Sequence, residues 1–258
     1  MFSLLTCADT NYFPMALALA KNVRLYGDCR LFLYDLGLKD VERAELQANG
    51  VTIEKTAFDE GTFKLNSKGN IRTTHKIDCI RHFLRTYSCG VLVLDADALL
   101  VENVVADIFP HDREIVVTYR CNRERKPHIL INGKINAGVM AFGAGVSDVF
   151  FDEWKEMCAD GEHTDQSALS ALLERHVALD RIDSVQSYGE YEIRILDGNV
   201  FNDVTCRTGK IFHFKNAGRQ LNKRLGFTSF AVAHRLFPRF ITGVVAFNRR
   251  HQWFVWRG

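Results

Sequence analysis

The sequence predicts an α/β fold in which a parallel sheet carries helices on both faces. Short apolar runs at Phe2–Ala8, residues 30–34 and residues 51–54 predict three strands. Stretches of helical periodicity at residues 15–23 and Asp40–Ala48 lie between them. An alternating strand–helix order joins parallel strands through crossover helices, so we expect a parallel sheet between two helical layers.

The remaining elements continue this alternation. Residues 56–71 form a polar, glycine-containing stretch that predicts a loop, and residues 73–87 predict a long helix. The four apolar residues Val91–Leu94 that follow predict a strand buried on both faces. The other predicted elements are strands at 114–118, 137–142 and 210–214 and helices at 147–158 and 164–175.

The composition is that of an ordinary globular protein, with 47% hydrophobic and 25% charged residues. Disordered and low-complexity classes are therefore excluded. The seven cysteines include no C-x-x-C pair, which argues against a zinc ribbon or a thioredoxin-type site and favours reduced thiols. The N-terminal residues lack the basic start of a signal peptide, so we expect a cytoplasmic protein.

The charge is distributed unevenly along the chain. Residues 204–258 contain eleven Lys and Arg and no Asp or Glu, so the acidic excess lies entirely in the first 203 residues. With no internal repeat or linker, we predict one domain at residues 1–218 and a basic, aromatic extension at residues 219–258. A basic extension on an acidic body indicates an anionic partner at that end.

The strongest chemical signal is Asp95-Ala96-Asp97, directly after Val91–Leu94. In extended backbone, residues i and i+2 point the same way, so both carboxylates are expected to leave the sheet together. Ligands of open α/β sheets bind at this end of the strands. Paired carboxylates favour a hard divalent cation such as Mg²⁺ or Mn²⁺ carrying a diphosphate. No phosphate-binding glycine motif is present to take over that role.

Two enzyme classes commonly use D-x-D after a strand. In haloacid-dehalogenase-like phosphatases it normally lies on the first strand and continues with small residues, whereas here it lies on a later strand and continues Ala98-Leu99-Leu100. The second class is the GT-A glycosyltransferases. A sugar-1-phosphate nucleotidyltransferase is a further alternative, but the segment after the first strand is not the glycine-rich basic loop it would need.

Downstream segments resemble family 8 and related retaining GT-A glycosyltransferases. Residues 135–142 (INAGVMAF) resemble the family's F-N-[AS]-G-V strand, residues 164–169 (TDQSAL) its D-Q-x-x-L helix start, and residues 211–214 (IFHF) the late strand that ends in a metal-binding His. The segments occur in the family's order across residues 1–218. After His213 the chain departs from the compact H-x-x-G-x-x-K-P-W pattern. The resemblance implies a GT-A, Rossmann-like α/β fold with a mainly parallel mixed sheet.

The resemblance also implies a metal site and a donor site. Asp95, Asp97 and His213 would bind Mn²⁺ or Mg²⁺, and an imidazole among carboxylates favours Mn²⁺. Asn136, Asp165 and Gln166 would line the donor sugar as the catalytic residues, although Asp165 or Thr164 could simply cap its helix. The residues expected to bind the nucleotide sugar are Thr6, Ala8, Asp9, Tyr12, Asp35, Arg72, Lys76, Asp95, Ala96, Asp97, Asn136, Ala137, Gly138, Lys215 and Arg219.

The implied function is the metal-dependent transfer of a hexose from a nucleoside diphosphate sugar, with UDP favoured, to a saccharide or lipid-linked saccharide hydroxyl, with retention. Arginines alternate with aromatic residues in the extension, a pattern that suits anionic lipid at the inner face of the membrane. Packing of the extension on the acidic body is the alternative. A nucleic-acid-binding protein is a rival that leaves the D-x-D, Asn-Ala-Gly and Asp-Gln segments unexplained, so no nucleic-acid partner is expected.

Overall fold

The computed structural model describes residues 2–27, 29–55, 75–159 and 163–251, so the predicted loop at 56–71 lies outside the described residues. The strands are β1 (Phe2–Ala8), β2 (Cys29–Asp35), β3 (Thr52–Glu54), β4 (Val91–Leu94), β5 (Ala98–Leu100), β6 (Glu114–Tyr119), β7 (Ile135–Phe142), β8 (Ser184–Tyr188), β9 (Tyr191–Asp197) and β10 (Ile211–His213). The helices are α1 (Phe13–Val23), α2 (Asp40–Ala48), α3 (His75–Tyr87), α4 (Val105–Ile108), α5 (Pro127–Leu130), α6 (Asp148–Ala159), α7 (Asp165–Glu174), α8 (Gly198–Phe201), α9 (Leu221–Leu236) and α10 (Pro238–His251).

Eight strands form one mixed sheet in the order β3-β2-β1-β4-β7-β6-β9-β8. The first four are parallel, as predicted. Strand β7 runs antiparallel to both β4 and β6, whereas β6 and β9 are parallel. The α/β class and the mainly parallel mixed sheet are therefore confirmed. The purely parallel sheet that the alternation in the first half suggested is wrong beyond β4.

The sheet is buried on both faces because neighbouring residues of its central strands enter two different cores. In β4, Val91 and Val93 belong to the core under α3, α6 and α7, while Leu92 and Leu94 belong to the core under α1 and α2. A strand buried on both faces needs a continuous apolar run. This requirement explains why Val91–Leu94 could be recognised from the sequence.

Three strands were missed by the sequence analysis. Strands β8 and β9 form an antiparallel hairpin at one edge of the sheet. In β9 the residues Tyr191, Ile193 and Ile195 are buried and alternate with polar residues, so a period of two was present in the sequence. Strand β5 follows the D-x-D and pairs with β10 outside the main sheet. It is too short to show a period.

The extension at residues 219–258 contains two helices, α9 and α10, bent by 115° relative to each other. Phe227 of α9 is buried in the core beneath α1, and Arg249 of α10 pairs with Glu102 at 2.6 Å. The packing alternative therefore holds for the inner faces of both helices. Within the described residues no single helix is long and apolar enough to span a membrane. The α9–α10 pair passes that test only jointly, by length and composition.

Candidate metal and nucleotide site

The two carboxylates of the D-x-D converge through a turn. The backbone N–H of Ala98 donates to the carbonyl of Asp95 at 2.9 Å, which closes a turn directly after β4. The expectation of a continued extended strand is therefore wrong in its geometry, although both carboxylates do leave the sheet together. The N–H of Asp95 also donates to the carbonyl of Gly138 at 2.9 Å and ties the turn to β7.

His213 reaches these carboxylates through the short β5–β10 ladder, in which His213 lies opposite Ala98. Its Nε2 is 3.3 Å from Oδ1 of Asp97 and 3.6 Å from Oδ2 of Asp95. One ligand atom from each of the three residues lies within 4.8 Å of the others. The structure thus brings together the three residues that the sequence analysis selected as metal ligands.

The geometry of this Asp95–Asp97–His213 group fits a divalent ion. Neighbouring ligands of an octahedral ion with bonds of about 2.1 Å lie about 3 Å apart, close to the two separations observed. Two carboxylates and one imidazole form a mixed oxygen and nitrogen donor set that suits Mn²⁺. Asp97 and His213 are almost fully buried, so their positions are set by packing before an ion binds.

Asn202, which the sequence analysis missed, orients the imidazole of His213. Its Oδ1 lies 2.8 Å from Nδ1 of His213, while its Nδ2 donates to Oγ1 of Thr118 and to the carbonyl of Asn136. Because Nδ2 is used in this way, Oδ1 must accept, and the proton on His213 lies on Nδ1. The Nε2 lone pair then faces the carboxylates, as a metal ligand requires. No local sequence motif marks Asn202.

Gly138 explains why the Asn-Ala-Gly segment contains a glycine. A Cβ at this position would lie 2.5 Å from Nδ1 of His213 and 3.1 Å from Oδ2 of Asp95. Real Cβ atoms do not approach other heavy atoms at the first distance. Glycine therefore lets β7 pass directly behind the metal ligands.

Lys76 contacts the D-x-D directly. Its Nζ donates to Oδ1 of Asp95 at 2.6 Å and to the carbonyl of Ala137 at 3.0 Å. Burial alone would lower the pKa of Lys76, but the Asp95 carboxylate outweighs it and the pKa is raised. Burial conversely favours the neutral form of Asp95, yet the charge of Lys76 holds the pKa of Asp95 below its usual value. Both groups therefore stay charged at neutral pH.

The three residues predicted to line the donor sugar come from β7 and α7. The N–H of Ala137 donates to Oε1 of Gln166 at 3.2 Å, and Asn136 is buried at the start of the same strand. Asp165 is the first residue of α7, while Thr164 caps the helix by accepting from the N–H of Ser167. Thr164 therefore takes the capping role, and Asp165 does not.

The pKa of Asp165 is raised by burial and by the neighbouring charge of Asp95, whereas the charge of Lys76 opposes the rise.

A second buried carboxylate, Glu124, was also missed. It lies in a 3₁₀ turn between β6 and β7 and accepts from Nζ of Lys215 at 2.7 Å and from Nδ2 of Asn136 at 2.8 Å. Lys215, expected at the diphosphate, is therefore held by a carboxylate on the other side of the site. Glu124 has no motif in the sequence and is recognised only from its contacts.

The end of β1 carries the residues expected at the nucleotide. Thr6 is buried, and its Oγ1 has no hydrogen-bond partner among the described residues; Ala8 ends the strand. The carboxylate of Asp9 accepts from the N–H of Tyr12, which opens α1. The guanidinium of Arg219 lies 5.8 Å from the centre of the Tyr12 ring. Tyr12 and Arg219 are thus neighbours.

The charges of the D-x-D carboxylates also act on the Tyr12 hydroxyl. Burial, together with the charge of Asp97, raises the pKa of Tyr12 to about 12. A Cβ added to Gly218 would meet the Tyr12 ring at 2.6 Å, so this glycine permits the close contact. The ring therefore lies between the end of β1 and the segment that follows β10.

The contacts of Asp35 give its predicted role at the nucleotide no support. The carboxylate of Asp35 accepts from the N–H groups of Gly37 and Leu38 and pairs with Arg43 at 2.7 Å. Formation of this turn accounts for the backbone hydrogen bonds that the Asp35 carboxylate accepts. Arg72 lies outside the described residues.

No model of a known protein family matches the sequence, and neither does any curated protein. Solved structures do match. The galactosyltransferase LgtC in complex with donor and acceptor sugar analogs matches with a TM-score of 0.63 and 18% identity, over 90% of this chain and 96% of that chain. An active-site mutant of LgtC matches over the same shares with a TM-score of 0.60 and 15% identity. This chain therefore has the GT-A fold, the fold of these glycosyltransferase structures.

Proposed function

We propose that the protein is a metal-dependent glycosyltransferase that moves a hexose from a nucleoside diphosphate sugar, with UDP favoured, to a saccharide hydroxyl. The observation that carries the proposal is the Asp95–Asp97–His213 group at the end of the central strand of a GT-A fold. The matching LgtC structure, a galactosyltransferase with donor and acceptor sugar analogs, supports the same reaction class.

The three ligands would hold Mn²⁺ or Mg²⁺, which when bound neutralises charge on the departing nucleoside diphosphate. Among this chain's own residues, Lys76 keeps Asp95 ionised and oriented through its 2.6 Å ion pair. Lys215 and Arg219 offer positive charge to the diphosphate from the segment after β10. Cations in these positions would stabilise the negative charge that grows as the sugar–phosphate bond breaks.

Asn136, Asp165 and Gln166 are proposed to bind the donor sugar. The amides of Asn136 and Gln166 hydrogen-bond sugar hydroxyls, and the Asp165 carboxylate stabilises positive charge at the anomeric carbon. This role of Asp165 is supported by the charges of Lys76 and Asp95, both of which act on its pKa. Retention of configuration is proposed from the resemblance to family 8 alone.

Thermal unfolding with nucleotides and nucleotide sugars tests this function. We expect UDP or a UDP-sugar to stabilise the protein only when Mn²⁺ is present. At a hundredfold excess over Kd the gain is about 2.7 kcal/mol, which corresponds to a Tm rise of roughly 5–10 °C for a chain of this size. Mn²⁺ alone and each nucleotide with a chelator are the controls. An unchanged Tm with every nucleotide, with and without metal, would contradict the proposal.

We further propose that the α9–α10 extension contacts anionic membrane at the cytoplasmic face, where it would meet a lipid-linked acceptor. Large apolar side chains are exposed along its outer surface, namely Leu221, Leu225, Val232, Leu236, Phe237, Phe240 and Phe247. Arg235, Arg239 and Arg250 are exposed on the same two helices, and the extension has no acidic residue. Exposed apolar groups mixed with arginine suit an anionic lipid surface.

Sedimentation with lipid vesicles tests the membrane proposal. The wild type should bind vesicles containing anionic lipid, bind neutral vesicles much less, and be released by salt. Phe237→Ser combined with Phe240→Ser should reduce binding at least about tenfold because it removes two exposed aromatic rings that would be buried in the lipid. Val41→Ser, at a residue that is 73% exposed on α2, is the matched control and should change nothing. Equal binding by both variants would contradict the proposal.

A further inference from the structure

Glu124 is a buried glutamate surrounded by hydrogen-bond donors. Its side chain is 7% exposed. Oε1 accepts from Lys215 at 2.7 Å and from Nη1 of Arg120 at 3.2 Å, and Oε2 accepts from Nδ2 of Asn136 at 2.8 Å. Burial alone would raise the pKa of Glu124, but Lys215 and Arg120 outweigh it, and the pKa is lowered. The group is a carboxylate at neutral pH.

The contacts of Glu124 indicate an indirect role. Both of its oxygens are already engaged by donors, and one of these donors is an arginine that is 1% exposed. Arg120 also donates to the carbonyls of Asn132 and Gly133, so it anchors Glu124 to the segment that precedes β7. Three donors thus occupy most of the roughly four acceptor positions of this carboxylate, and we expect it to act through these partners.

One of these partners is the amide of Asn136. Because a carboxylate only accepts hydrogen bonds, Glu124 determines that Nδ2 of Asn136 points towards it. Oδ1 of Asn136 then accepts from the N–H of Gly138 at 3.1 Å. The amide cannot be reversed without placing two acceptors against each other. Glu124 thus fixes the orientation of the buried Asn136 amide at the start of β7.

The other partner is the ammonium of Lys215. This lysine is on a flexible stem and its side chain is 38% exposed, so its charge would otherwise extend into solvent. If the Lys215 ammonium turns towards a diphosphate, the Glu124 carboxylate still accepts hydrogen bonds from Arg120 and Asn136. Lys215 can therefore move between Glu124 and a diphosphate without leaving the buried carboxylate unpaired.

We infer that Glu124 is a positioning residue that holds Lys215, the proposed diphosphate ligand, and the buried amide of Asn136 in place for a nucleoside diphosphate sugar. This inference rests on the proposed function. Residues that orient ligand-binding groups typically change affinity by about 10- to 100-fold when substituted. The effect should appear in nucleotide affinity and not in metal affinity, because none of the metal ligands contacts Glu124.

Calorimetric titration of Glu124→Gln tests this role. An amide at this position must turn one NH₂ towards Lys215, Arg120 or Asn136, all of which are donors. We expect the Kd for UDP, measured with saturating Mn²⁺, to rise about tenfold while the Kd for Mn²⁺ alone is unchanged. Glu114→Gln is the matched control. Glu114 is also buried, and it pairs with Arg194 at 2.8 Å at the opposite end of β6.

Lys215→Met completes a double-mutant cycle. If Glu124 acts on the diphosphate through Lys215, adding Glu124→Gln to Lys215→Met should raise the UDP Kd little further. If the glutamine variant does not fold, Glu124→Asp replaces it in this test. Aspartate keeps the charge, but its side chain is one methylene shorter, so the carboxylate lies farther from its donors. This variant should bind UDP more weakly than the wild type.

Three results would overturn the inference while the proposed function stands. These are a Glu124→Gln protein that binds UDP as well as the Glu114→Gln protein, fully additive effects with Lys215→Met, or wild-type affinity in Glu124→Asp. A wild type that binds no nucleotide at all would overturn the proposed function together with this inference. The two failures are therefore distinguishable.

Discussion

Substitution of Asp97 by asparagine is expected to reduce transfer by about 10³-fold or more and to abolish the Mn²⁺ dependence of UDP binding. Asp97 is 4% exposed, and its Oδ1 lies 3.3 Å from Nε2 of His213. Loss of this charge weakens the binding of an ion that would supply several kcal/mol of transition-state stabilisation. A loss of about 4 kcal/mol corresponds to a rate lower by a factor of about 10³. Titration with Mn²⁺ and a donor hydrolysis or transfer assay measure both effects.

The Asp97→Asn protein should remain folded. Asparagine has the same shape, and its amide oxygen can still accept from the N–H of Ala217, which now donates to Oδ2 at 3.2 Å. Asp78→Asn is a suitable control because Asp78 pairs with Lys155 at 3.0 Å on the helical face of α3, away from the D-x-D. Retention of Mn²⁺-dependent UDP binding in Asp97→Asn would remove Asp97 from the metal site.

Substitution of Asp165 by asparagine should lower kcat by about 10²–10³-fold, the usual cost of removing one group that stabilises transition-state charge. Affinity for UDP should hardly change, because the proposed contact of Asp165 is with the sugar and not with the nucleotide. Comparing kcat with the Kd for UDP separates these effects. The substitution keeps the shape of the side chain and leaves the neighbouring Thr164 cap untouched.

The matched control for Asp165 is Thr164→Ala. Thr164 accepts from the N–H of Ser167 and caps α7, so its loss should cost about 1 kcal/mol of stability and leave kcat unchanged. If kcat falls in Thr164→Ala but is retained in Asp165→Asn, the start of α7 affects activity only through its packing, and the catalytic role of Asp165 is contradicted. The pair thus separates the catalytic role from the capping alternative.

The predictable part of the site is the part encoded locally. Asp95 and Asp97 could be recognised as site residues because they follow a strand with a continuous apolar run. Gly138 could be assigned to the site because it ends the Asn-Ala-Gly segment. The turn that joins the two carboxylates was not foreseen, since it depends on a hydrogen bond from Ala98 and a second bond to β7. Local patterns predict strands better than they predict the bends between them.

The sequence by itself determined the α/β class, most of the strands, five of the ten helices among the described residues, and the carboxylate pair Asp95 and Asp97. The helices and strands depend on apolar periodicity, and the pair is marked by its place after a buried strand, whereas His213 was selected only through the resemblance to family 8. Only the tertiary structure decided the antiparallel insertion of β7, the pairing of β5 with β10 that brings His213 to the D-x-D, and the partners Asn202 and Glu124. Such partners are remote along the chain, and their choice depends on which buried donors and acceptors the packed sheet leaves to be satisfied.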